Sequence, residues 1–115
     1  MIKARFEYTE DNKSFLLTVK DHAGQAEAGK DIICASASIL AYTVAQIVTD
    51  LHQEGKLKKR PTVKLNAGDA VITCKPRKDA YAEALHAFFV AQVGFNLLAH
   101  NYPNYVQLTP FGKDN

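Results

Sequence analysis

Ile2-Lys3-Ala4-Arg5-Phe6-Glu7-Tyr8-Thr9 alternates without a break. Ile2, Ala4, Phe6 and Tyr8 fall on one side and Lys3, Arg5, Glu7 and Thr9 on the other, the period of a strand with one buried face. Glu10, Asp11 and Asn12 carry turn chemistry. Phe15, Leu17 and Val19 then repeat the alternation, so the chain is predicted to open with a β-hairpin.

Outward from the hairpin the period changes from two to 3.6. Ile33, Ala37, Leu40, Val44, Ile47 and Leu51 share one helical stripe. A long helix is expected from about Asp31 to about Gln53, with Asp31 suited to its start and Gly55 to its stop. A basic connection, Glu54 to Pro61, leads to strands at Val63–Leu65 and Val71–Lys75, joined by a turn at Asn66-Ala67-Gly68-Asp69. Asp79 is expected to cap a second helix of about twenty residues, with Tyr81, Ala84, Leu85, Phe88, Ala91 and Phe95 as its apolar stripe. Tyr105 to Thr109 has room for a short last strand. The order ββαββα predicts an α+β fold: two layers, a mostly antiparallel sheet with two helices packed on one face. The 115 residues suit one domain, residues 1–115.

Composition narrows the function. Hydrophobic residues make up 47% and charged residues 23%, a globular balance. The net charge is only +2, whereas a whole-domain nucleic-acid binder is usually far more basic. The positive charge is gathered in two runs, Lys56-Leu57-Lys58-Lys59-Arg60 and Lys75-Pro76-Arg77-Lys78. They read as solvated loop charge or as a surface for ribosomal or other acidic partners. Two cysteines, Cys34 and Cys74, make no disulfide framework. Met1 to Glu10 has no apolar core of the kind a signal peptide carries, and no unbroken run of about 18 apolar residues marks a membrane span. A reducing, cytoplasmic setting is expected, where thiols stay reactive.

One stretch can carry chemistry: Asp21-His22-Ala23-Gly24-Gln25-Ala26-Glu27-Ala28-Gly29-Lys30-Asp31-Ile32-Ile33-Cys34. A histidine stands at a strand end, a cysteine in the first turn of a helix, and a glycine-containing loop joins them. Cysteine attacks as thiolate, and unpaired N–H groups at a helix start favour negative sulfur. An imidazole within reach takes the thiol proton and returns it to a leaving amine. Along the helix, Cys34, Ser38, Ala41 and Ala45 form a narrow stripe of small side chains. Either a substrate segment or the second helix is expected to approach closely there.

These residues resemble the motif of the ribosomal-processing cysteine protease family, Prp: His-Ala-Gly, a short loop, then Gly-x-Asp-Ile-Val-Cys-Ala. His22-Ala23-Gly24 and Gly29-Lys30-Asp31-Ile32-Ile33-Cys34-Ala35 match at the family's separation, and Ser38 matches a serine that follows. The likeness runs over essentially the whole chain. It implies a cysteine endopeptidase that removes a short N-terminal extension, after a paired-aromatic segment, from a large-subunit ribosomal protein, the twenty-seventh in the standard bacterial naming. It implies His22 as base, Cys34 as nucleophile, and Ala23 to Lys30 as a substrate loop. It also implies a homodimer without cofactor or metal, with no membrane and no direct nucleic-acid binding required. Ala23, Gly24, Gly29, Asp31 and Ser38 become supporting residues, and Asp31 either caps the helix or orients His22. Asp21 and Gln25 depart from the family's usual glycine and aromatic; Ile33 and Ser36 are milder changes.

Other residues are not recruited. Cys74 shares a strand face with Ile72 and reads as core. His52, His86 and His100 lack zinc-ligand spacing. Phe88, Phe89 and Phe95 read as core or dimer interface, and Tyr102, Tyr105 and Phe111 as one option for an aromatic-binding surface. The competing readings are a non-enzymatic ribosome-associated binding module, supported by the basic runs, and a redox-sensing thiol protein, which has no Cys-x-x-Cys to support it.

Overall fold

The computed structural model describes residues 1–21, 30–66 and 68–112. The elements follow the expected order: β1 (Ile2–Thr9), β2 (Ser14–Asp21), α1 (Lys30–Gln53), β3 (Val63–Asn66), β4 (Asp69–Cys74), a 3-10 turn (Lys78–Ala80), α2 (Tyr81–Asn101) and β5 (Val106–Thr109). The five strands lie in the order β3-β4-β2-β1-β5. The first four are antiparallel to their neighbours, while β5 joins the far edge parallel to β1, pairing Ile2 with Val106 and Arg5 with Thr109. The sheet is therefore mixed.

The alternation at the N-terminus sets the register. Phe6 pairs with Leu17, and Leu17 with Ile72, so all three side chains stand on the face that the helices cover. They are at most 1% exposed. Phe88 of α2 stacks on Phe15 with centroids 5.3 Å apart, and Phe95 meets Phe6 edge-on at 5.9 Å. Such pairs add to the area each ring removes from water.

The helix ends differ in how well their residues mark them. Gly55 adopts φ +73°, the Lys56 N–H donates to the Leu51 carbonyl, and the Gly55 N–H donates to that of His52. This is the Schellman arrangement, and it ends α1 where the glycine predicts. The other end is less regular. Asp79 does not cap α2: it sits inside the 3-10 turn, and the N-cap of α2 is Ala80. Leu85 leaves the expected α2 stripe and is 38% exposed, while Phe89, read as core or dimer interface, is 50% exposed. The buried stripe is Ala84, Ala87, Phe88, Ala91 and Phe95. Both helices are long and apolar enough by length and composition to cross a membrane, a test that core helices also meet. One face of each helix meets the sheet, and other apolar side chains, Ile39 of α1 and Leu85, Phe89, Val93 and Leu97 of α2, stay exposed.

Candidate active site

The buried side of α1 decides what remains of it for chemistry. Ala37, Ala41, Val44 and Val48 face the sheet. Leu40 meets α2 at Gly94, where a Cβ would stand 2.7 Å from Leu40 Cδ2. Leu40 lies on the opposite flank of α1 from Cys34, by about 120° at 100° per residue. The second helix therefore packs away from the small-residue stripe. Of that stripe Ala41 and Ala45 are buried, while Cys34 and Ser38 are half-buried, Cys34 packing against the edge of the core.

What lies over Cys34 is a cleft of about 420 Å³, counted out to open solvent. One wall is α1, with Cys34, Ser38, Ala41 and Tyr42. The floor is Ile2 and Val19, and the far wall is the β3–β4 tip, with Leu65, Asn66, Gly68, Asp69 and Ala70. Gly68 is left-handed, φ +76°, which lets the tip turn sharply. Tyr42 and Leu65 are 51% and 40% exposed, so an apolar side chain entering the cleft meets apolar surface on both walls. In the sequence this tip reads only as a turn. Nothing in one sequence says that a turn distant along the chain faces a particular helix.

α1 begins at Lys30, so Cys34 is its fifth residue rather than its third. The N–H groups without helical partners lie in the turn before it, and helical side chains lean toward that end. Asp31 stands within the first turn rather than ahead of the helix, and its side chain lies outside the described atoms. His22, Ala23, Gly24 and Gly29 also lie outside the described residues. The described ends of that segment are placed by their neighbours: Asp21 pairs with Ile2, which floors the cleft, and Lys30 is one helical turn before Cys34.

The second thiol has a different environment. Cys74 is 1% exposed among core side chains, and burial pushes its pKa up to about 12. Neither cysteine is in a disulfide. Of the aromatic residues weighed for substrate, Phe111 packs on Phe6 at 5.4 Å and its N–H donates to Gln92 Oε1, so it belongs to the core edge. Tyr102 and Tyr105 do not line the cleft. Among the described residues no cluster of His, Cys, Asp and Glu is arranged to hold a metal ion.

A two-layer α+β domain with a thiol one turn into its first helix, over an open cleft, is the frame of a cysteine protease. The family model described as cysteine protease Prp matches residues 1–107, and the chain belongs to that family. Solved structures share the fold. The ribosomal processing protease Prp from S. aureus in complex with a substrate peptide superposes with a TM-score of 0.66 at 17% identity, covering 96% of this chain and 99% of that one. A protein of Streptococcus mutans gives 0.65 at 22% identity, covering 96% and 94%. The S. aureus protease with a covalently linked product peptide gives 0.63 at 19% identity, covering 96% and 99%. No curated protein matches the chain.

Proposed function

We propose that this cysteine protease removes the N-terminal extension of the twenty-seventh large-subunit ribosomal protein, with Cys34 as nucleophile and His22 as base. The observation that carries the reading is the contrast between the two thiols, Cys34 on the wall of an open cleft and Cys74 sealed and held protonated. His22 Nδ1 or Nε2 takes the Cys34 proton, and Sγ adds to the scissile carbonyl carbon. Open N–H groups at the start of α1 hold the oxyanion. The intermediate collapses as the imidazolium protonates the leaving amine, breaking the C–N bond and leaving a thioester. Water, deprotonated by His22, then attacks the thioester carbon, breaks the C–S bond and restores the thiol.

Two features support a peptide with large apolar side chains before the cut: Tyr42 and Leu65 both line the cleft and are exposed, and the small side chains of Cys34, Ser38 and Ala41 let a backbone approach. A cytoplasmic location is part of the proposal and rests on two thiols outside any disulfide. So is a homodimer. Leu85, Phe89, Val93 and Leu97 form a stripe at every fourth residue of α2, all exposed, and Val90 of α2 and Ile39 of α1 are exposed as well. A second copy of the chain would cover an apolar face of this kind.

The test is mass spectrometry of the extended ribosomal protein after incubation with the chain. The intact chain is expected to shorten the substrate at one bond, while Cys34→Ala and His22→Ala leave it whole. Full cleavage by either variant defeats the assignment.

A further inference from the structure

The two basic runs, separate in the sequence, are joined in the fold. The Lys58 N–H donates to the Lys75 carbonyl at 2.8 Å, and the Arg77 N–H donates to the Lys56 carbonyl at 2.9 Å. Between them Leu57 and Pro76 form a β-bridge, and both are buried. Like charges repel, and solvated loop charge needs no such tether. Here the backbone holds cations beside cations.

They surround a hollow of about 690 Å³, counted out to open solvent, whose rim carries Lys13, Lys58 and Lys78 and whose sides include Tyr8 and Tyr81. Lys13 arrives from the β1–β2 turn, at φ +49°. The acidic groups nearby are partly spent: Lys56 Nζ lies 3.1 Å from Glu83 Oε1 and 3.2 Å from Glu54 Oε1. Asp79, Glu10 and Asp11 remain close along the chain. Along the ends of β2 and β4, a second groove carries Lys59, Arg60 and Lys75 beside Thr62 and Thr73.

We propose that this pole binds the sugar–phosphate backbone of a nucleic acid. Cations placed in two neighbouring grooves form a track for a polymer rather than a seat for one small anion. Tyrosine and threonine hydroxyls are ordinary donors to phosphate oxygens. Among the described residues none of the large exposed hydrophobic side chains lies on the rim of the hollow, so they give a bilayer no anchor there. The pole is at the Tyr8 end of β1 and the cleft at its Ile2 end, about 20 Å away along the strand. A nucleic acid held at the pole leaves the cleft open. The inference rests on the pole alone and stands whether or not the substrate proposed above is the right one.

The probe is a fluorescently labelled RNA hairpin, with DNA of the same sequence, a polyglutamate peptide and phosphatidylglycerol vesicles as the other arms. Anisotropy of the full chain is expected to show RNA or DNA binding that weakens steeply with salt. Lys58→Glu with Lys78→Glu should weaken it at least tenfold and flatten the log–log salt slope by about 2, one per lost phosphate contact. Lys58→Arg with Lys78→Arg should retain it, and peptide cleavage should be unchanged in both pairs. If the glutamate pair does not fold by circular dichroism, Lys58→Gln with Lys78→Gln is read instead. No binding at low salt, equal binding by the charge-reversed pair, or tighter binding to polyglutamate or vesicles overturns the proposal.

Discussion

Iodoacetamide reacts with thiolates, so the two cysteines of the native chain should label at very different rates. Burial holds the Cys74 pKa at about 12, against 9.0 for an unperturbed thiol. Three units mean about a thousandfold fewer thiolates at neutral pH, before access is considered. Access adds to this, because Cys74 is 1% exposed and reagent reaches it only when the core opens. Cys34 is only partly buried, on the cleft wall. The expected result at neutral pH is one adduct, mapped to Cys34 by peptide mass spectrometry, with Cys74 labelling only in denaturant. The Cys34→Ala variant should stay unlabelled over the same interval, and cleavage should fall in step with Cys34 labelling. Similar rates at the two sites, or Cys74 first, would refute the reasoning.

Stability should fall more steeply above pH 9 in the native chain than in Cys74→Ala. The raised folded pKa means that the unfolded thiol loses its proton first, so the unfolded state binds fewer protons between about pH 9 and 12, at about 1.4 kcal/mol per unit. Denaturant melts at stepped pH compare the two slopes, and equal slopes would contradict the buried-thiol account. Phe88→Ala, at a ring with no exposure stacked on Phe15, should cost about 3–5 kcal/mol by urea unfolding. Gly55→Ala should cost about 1 kcal/mol, because its φ of +73° is costly for a side chain although nothing lies within 4 Å. Leu65→Ala should raise KM for a peptide with aromatic residues before the cut more than it lowers kcat, since Leu65 lines the cleft from β3 while the thiol stands on α1; steady-state kinetics on that peptide separate the two.

The strands and helices were legible because local chemistry and tertiary packing agree in them. The alternation from Ile2 to Thr9 and the glycine at Gly55 each specify one outcome, and the structure has it. The start of α2 was not legible: Asp79 is a good cap in isolation, but the pairing of Arg77 with Lys56 delays the helix to Tyr81. Leu85 and Phe89 were ambiguous because α2 is apolar nearly all round, so periodicity alone does not choose its buried face. The parallel edge strand β5 depends on a partner about a hundred residues away, which no local pattern names. Of the site, the thiol on α1 followed from the residues. The facing tip, Leu65 to Ala70, did not, since a hairpin turn carries no record of what stands opposite it.

The two walls of the cleft differ in how freely they can change. The helix that carries Cys34 is rooted among Val44, Val48 and the sheet, where almost any replacement is felt through the whole interior. The opposite wall ends a short outer strand joined to the sheet on one side only, by β4. Substitutions at Leu65 or Asn66 can reshape the opening without disturbing the sulfur. A protein built this way can acquire new sequence preferences while its chemistry stays the same, and engineering for altered cleavage should begin at that hairpin.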